Sequence, residues 1–156
     1  MHNGLATAQD RAEGYRGALR RHKIPVEAGL VTAGGEFKQA SGYQLVKQLL
    51  THHPRPTAIF AANNLIAVGA LQALREASLR VPEDMALVSF DDVGVASVID
   101  PFFTVVAQPA YEMGEKSARL LIERLAAKRN IKTREIIFAP RLIIRQSCGQ
   151  GLAEKS

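Results

Sequence analysis

The clearest pattern lies between Pro56 and Leu74, PTAIFAANNLIAVGALQAL, where six uncharged, mostly apolar residues, Thr57 to Ala62, run into two asparagines and then an apolar stripe. An apolar run of this length suits a strand buried on both faces of a parallel sheet. Asn63 or Asn64 can accept a backbone N–H at a helix start, and Ala67, Ala70, Leu71 and Leu74 follow at spacings of three and four. The stretch therefore predicts a strand, a polar turn and a helix. Ligands of open parallel sheets gather beyond the carboxyl ends of the strands, so the asparagine turn is either a helix cap alone or part of a site.

The rest of the chain follows the same grammar. Thr7 and Asp10 have capping-box spacing, and Ala12, Tyr15 and Leu19 form a stripe that predicts a helix from about Ala8 to His22. Val26 to Thr32 alternates loosely and predicts a strand, ending at Gly34 and Gly35 in a loop that carries Phe37. Tyr43, Val46, Leu49 and Leu50 give another helical stripe, stopped by His52, His53, Pro54 and Pro56. The adjacent histidines point about 100° apart on a helix, a poor geometry for a metal pair. After the central helix, Met85 to Phe90 predicts a second buried strand ending in Asp91-Asp92, and Phe102 to Ala107, after Pro101, a third ending at Gln108. A helix from Tyr111 to Lys128 places Ala118, Leu121, Ile122 and Leu125 on one face, and Glu135 to Phe138 and Leu142 to Ile144 predict two short strands. Gly149 to Ser156 reads as a polar, disordered tail.

Composition adds limits. At 156 residues, 47% hydrophobic and 22% charged, the chain has the makings of one globular α/β domain. Its net charge of +5 is dispersed over amphipathic segments, without an aromatic-interleaved basic motif, so solvated helix faces explain it better than nucleic acid does. Cys148 is the single cysteine, which rules out an intrachain disulfide and fits the cytoplasm. No apolar run is long enough to span a membrane, and the region after Met1 is too polar for a signal peptide.

Motifs of catalysis are missing: there is no GxSxG, GxGxxG, P-loop or HExxH, so neither catalytic nor metal-binding residues are expected, and no cofactor. What remains are polar groups at successive strand ends, namely Asn63 and Asn64, Asp91 and Asp92, and Gln108, with Arg11 in a helix's first turn and Phe37 in a loop. That mixture suits a polyol. An Arg fork and a carboxylate can each hold hydroxyls, an amide donates and accepts, and an aromatic ring covers the apolar face of a sugar.

The order and spacing of these segments resemble the lactose-repressor and galactose-repressor family of bacterial transcription regulators. The resemblance runs from about Arg11 to Cys148 and is carried by Arg11-x-x-Gly14-Tyr15, by Pro56 to Asn63, by Leu79-Arg80-Val81-Pro82-Glu83-Asp84, by Phe90-Asp91-Asp92, by Pro101-x-Phe103-Thr104 and by the closing Leu142-Ile143-Ile144-Arg145-Gln146-Ser147-Cys148. It implies a periplasmic-binding-protein-like parallel sheet flanked by helices, truncated to mostly the carboxyl-terminal subdomain. Residues 1–109 would form that subdomain, 110–140 would belong to the amino-terminal one, 141–148 would be the return strand and 149–156 the tail. The implied contacts to a small-molecule effector are Arg11, Phe37, Asn63, Asp91 and Gln108. That effector would be a sugar or a nucleobase, the regulator a homodimer, and operator DNA would be held only through a helix-turn-helix headpiece that this chain lacks. The alternative is a periplasmic-type sugar-binding protein. Three positions depart from the family pattern: Asn64 stands where Asp is usual, Ser89 where Gly is common, and Ser78 replaces a helix-ending Gly at the cost of a left-handed cap without glycine.

Overall fold

The computed structural model describes residues 6–32, 36–92, 102–127 and 132–150. Gly34, Gly35, Pro101, Lys128 and the tail beyond Gln150 lie outside the described residues. In chain order the elements are α1 (Ala6–Arg21), α2 (Gln39–Leu49), β1 (Ala58–Ala61), α3 (Asn64–Glu76), β2 (Ala86–Phe90), β3 (Thr104–Ala107), α4 (Ala110–Ala126) and β4 (Arg141–Ile143). Short 3-10 turns occupy Ala28–Leu30 and Gln146–Cys148.

The strands form one sheet in the order β1-β2-β3-β4. β1, β2 and β3 run parallel, and β4 returns antiparallel along β3. The register sets the two faces. Ile59 pairs with Leu87, and Ala61, Ser89, Val105 and Ile143 line up on the same side. This face is covered by α3, whose Ala67, Ala70, Ala73 and Leu74 are buried against Ile59, Leu87, Met85 and Val105. Full burial of a side chain such as Leu74 or Leu87 contributes about 1.5–3 kcal/mol. Phe60, Val88, Phe90 and Val106 point to the other face, beneath α1, and there the packing is loose: no described side chain of α1 is buried.

Small residues bring α2 against α3. A Cβ added at Gly69 would overlap the Gln39 carbonyl oxygen and come within 2.7 Å of Tyr43 N, and one added at Gly42 would come within 2.7 Å of Ile66 Cα. The outer rim of the pair is tied by Tyr43, whose hydroxyl donates to Glu76 Oε2 at 2.5 Å.

The carboxyl-terminal residues close the sheet. Thr104 Oγ1 accepts from Arg145 N at 2.8 Å and donates to Arg145 O at 3.0 Å. Ser147 Oγ accepts from Thr104 N at 2.8 Å and donates to Leu87 O at 2.5 Å, so this hydroxyl bridges β2 and β3. Ser147 is fully buried.

Three local expectations are corrected. Val26 to Thr32 is not a strand: it holds a 3-10 turn, and Val26 is 39% exposed with no strand beside it among the described residues. Glu135 to Phe138 pairs with nothing among the described residues, and Ile137 is 85% exposed. Propensity for extended backbone makes no strand without a ladder partner. Helix α1 is already formed at Ala6, so Thr7 lies inside its first turn instead of capping it.

Candidate functional site

The site grows from three strand ends. After β1, Asn63 has extended backbone (φ −156°, ψ 174°) and its Oδ1 accepts from Ile66 N at 2.8 Å, so it is the N-cap of α3. That carbonyl oxygen is therefore committed to the helix. Asn64 Oδ1 accepts from Leu65 N, and its Nδ2 donates to Asp92 O at 2.9 Å. A carboxylate at position 64 could not donate, which gives the amide here a structural use.

After β2 the chain turns at Asp91, which has φ 65°. This left-handed conformation is uncommon for residues other than glycine, and Asp and Asn are among those that tolerate it. Asp91 N still donates to Val106 O at 3.0 Å, so the turn begins on the sheet ladder. Its carboxylate then meets two partners. Gln108, just beyond β3, donates from Nε2 to Asp91 Oδ1 at 2.5 Å, and Arg11 Nη2 lies 3.7 Å from Asp91 Oδ2.

Arg11 reaches this point from the first half of α1. Its Nη1 donates to Ala62 O at 2.6 Å, and its guanidinium carbon lies 3.9 Å from the centroid of the Phe90 ring. Only 15% of its side chain is exposed. At 3.7 Å the contact with Asp91 is electrostatic attraction without a hydrogen bond. A guanidinium has five N–H donors, so Arg11 keeps donors to spare toward Asp91. Gln108 is exposed and Asp91 half-buried, so the cluster is open to a solute.

Beside the cluster, a groove of about 690 Å³ runs between α1 and the outer face of the sheet, with Arg11, Phe90 and Gln108 at its polar end and Tyr15, Phe60 and Val106 along its apolar length. The Tyr15 and Phe60 rings stack with centroids 6.5 Å apart. The volume falls in the range of small-molecule pockets.

Of the five residues expected from the sequence, Arg11, Asp91 and Gln108 are thus in direct contact. Asn63 adjoins them, one residue from the carbonyl that holds Arg11, with its side chain turned to α3. Phe37 is half-buried in the loop before α2 and enters none of these contacts among the described residues. Two residues that sequence reasoning left out of the set stand directly behind it: Asp92 and Arg145, joined by Nη1–Oδ1 at 2.9 Å and Nη2–Oδ2 at 2.7 Å. The hydrogen bonds from Arg145 to Asp92 raise the arginine's pKa above its ordinary value, so it stays charged. Among the described residues no group of three or more His, Cys, Asp or Glu could hold a metal ion. None of the described helices is long and apolar enough to cross a membrane.

Known proteins resemble this chain over most of its length. The chain is 40% identical over 118 residues to the ribose operon repressor of Escherichia coli (strain K12), covering 76% of this chain and 36% of the repressor. It is 35% identical over 143 residues to the HTH-type transcriptional repressor PurR of Haemophilus influenzae (strain PittEE), covering 90% of this chain and 42% of that protein. The chain thus spans less than half the length of either repressor. Among solved structures, a LacI family transcriptional regulator from Enterococcus faecium with bound ribose superposes with a TM-score of 0.82 at 31% identity, over 94% of this chain and 53% of that one. Residues 2–148 match the family model described as periplasmic binding protein-like domain, and the chain belongs to that family, in the branch whose members include LacI-type transcription regulators.

Proposed function

We propose that this chain is the sensing part of a cytoplasmic transcription regulator, which binds a small polyhydroxylated effector at Arg11, Asp91 and Gln108. The observation that carries the reading is the cluster itself. A guanidinium with spare donors, a half-buried carboxylate and an exposed amide converge at the carboxyl ends of parallel strands, beside an aromatic-lined groove. A sugar is the first ligand class, supported by the ribose in the Enterococcus faecium regulator, and a nucleobase the second. Asn63 serves by shaping the turn, and Phe37 joins the site only if its loop moves toward it. The protein acts as a homodimer and holds operator DNA through a headpiece outside these residues. The repressors among its relatives favour this reading over a stand-alone sugar-binding protein.

In this reading residues 1–109 form most of one lobe, 110–140 belong to the opposite lobe, and 141–148 return to the first. Two features support it: α4 has no buried residue, and β4 pairs with β3. Small ligands in two-lobed clefts are enclosed from both sides, so this chain alone should bind more weakly than a longer protein that carries both lobes.

Calorimetric titration of that longer protein with ribose, other sugars and purine bases tests the site. Hydrogen bonds to charged groups contribute about 1.5–3 kcal/mol, so Asp91→Ala or Arg11→Ala should weaken binding about ten- to a hundredfold. Wild-type affinity in both variants, with folding intact, would overturn the assignment.

A further inference from the structure

We infer that Arg145 is a positioning residue of this site: by gripping Asp92 with both arms of its guanidinium, it fixes the left-handed turn at Asp91 and with it the aim of the Asp91 carboxylate. The inference rests on the proposed effector site for what is being aimed, though the geometry stands without it.

Asp92 is held from two sides, by the Arg145 fork and by Asn64, whose amide donates to the Asp92 carbonyl at 2.9 Å. Arg145 is itself anchored. Its backbone N and O both engage Thr104 Oγ1, and its Nη1 also donates to Phe103 O at 3.1 Å. With 16% of its side chain exposed, the fork is largely sheltered from competing water. The Asp91 backbone is held less firmly: its conformation is disfavoured for a residue with a Cβ, its N–H donates to Val106 O at 3.0 Å, and its carbonyl accepts from Ser89 Oγ at a long 3.4 Å. The Arg145 guanidinium also offsets the charge of the Asp92 carboxylate next to that of Asp91, so its loss strengthens the repulsion between neighbouring like charges at the turn. Arg145 also lies just past β4, so a displacement of the 141–145 segment would be felt at Asp91 through one rigid bidentate contact.

The experiment is solution NMR on the whole chain, ligand-free. In the wild type, the Gln108 side-chain amide should show a nuclear Overhauser contact to the Asp91 β protons, and the Asp91 amide should be protected from hydrogen exchange. Arg145→Ala should abolish the contact and speed exchange at Asp91 by about tenfold or more, while Val88 and Val105 keep their protection. Arg145→Lys should fall between the two, and Asp92→Asn should act in the same direction, deciding the matter if Arg145→Ala does not fold. Retention of the contact and of Asp91 protection in the folded variants would overturn the inference, as would a loss of protection that is equal at Asp91, Val88 and Val105. Failure of ribose and the other ligands to shift Arg11 and Asp91 signals in the two-lobed protein would instead sink the effector reading and leave this one intact.

Discussion

Asp84 shows how much a single residue can be altered by its neighbours without burial. It accepts from Arg80 Nε at 2.9 Å, from Arg80 Nη2 at 3.1 Å and from the Arg80 backbone N–H at 2.8 Å. These bonds, the side-chain pair first and the backbone one second, hold its pKa at about 2 in place of the ordinary 3.8. A carboxylate whose pKa is lowered on folding stabilises the fold above its unfolded pKa, so this contribution is present above pH 3.8 and is lost as the pH falls through about 2. A carbon-13 carboxyl titration should place the Asp84 midpoint near the lower value. Arg80→Ala should raise it without restoring it fully, because the backbone N–H of residue 80 remains. At the same scale, Ser78 does sit in the left-handed position after α3, with φ 57°, as its place in the pattern implied. A side chain there is strained relative to glycine.

At the scale of elements, two glycines carry opposite predictions, one at the close α2–α3 contact and one in the open middle of α1. Gly69 faces the backbone of α2, and a methyl group there forces the helices apart, so Gly69→Ala should destabilise by about 1–3 kcal/mol. Gly14, in the middle of α1, has nothing within 4 Å of an added Cβ, so Gly14→Ala should stabilise by about 0.5–1 kcal/mol through helix propensity alone. Urea denaturation of the two variants checks both signs. The elements legible in the sequence were those whose own pattern sufficed. β1, β2 and α3 combine unbroken apolar runs with an asparagine cap, and each formed within a residue or two of its expected bounds. The failures at Val26 and Ile137 were of another kind, since a short alternating run says nothing about whether another strand lies beside it. The site divides in the same way. Asp91 and Gln108 could be placed at strand ends from the run that precedes each, whereas the Arg145–Asp92 pair joins positions 53 residues apart, a separation that no local periodicity reports. The adjacent Asp91-Asp92 doublet was a usable signal: two neighbouring carboxylates at a strand end repel each other, and a nearby cation relieves that repulsion.

For the whole molecule, the unsettled surface is α4. Tyr111 is 81% exposed, Leu121 58%, Ile122 65% and Leu125 77%, and no residue of the helix is buried. An apolar face of this kind marks an interaction site. Sedimentation should therefore show concentration-dependent self-association of this chain, and Leu121→Lys combined with Leu125→Lys should reduce it. A wild-type monomer across the whole concentration range would refute the expectation. The Ser147 hydroxyl between β2 and β3 carries a consequence of a different order, in time. Leu87, whose carbonyl it engages, precedes it by 60 residues. At a synthesis rate of about 5–20 residues per second, Leu87 is made roughly 3–12 s before Ser147. For that interval the nascent chain can pair β1 with β2 and pack α3 on them, but the opening rung of β2 and β3 lacks the hydroxyl that joins it. The sheet is thus finished by one of the last described residues to be synthesised, and a chain that stops just short of Ser147 has the β2–β3 ladder without the hydroxyl that bridges its first rung.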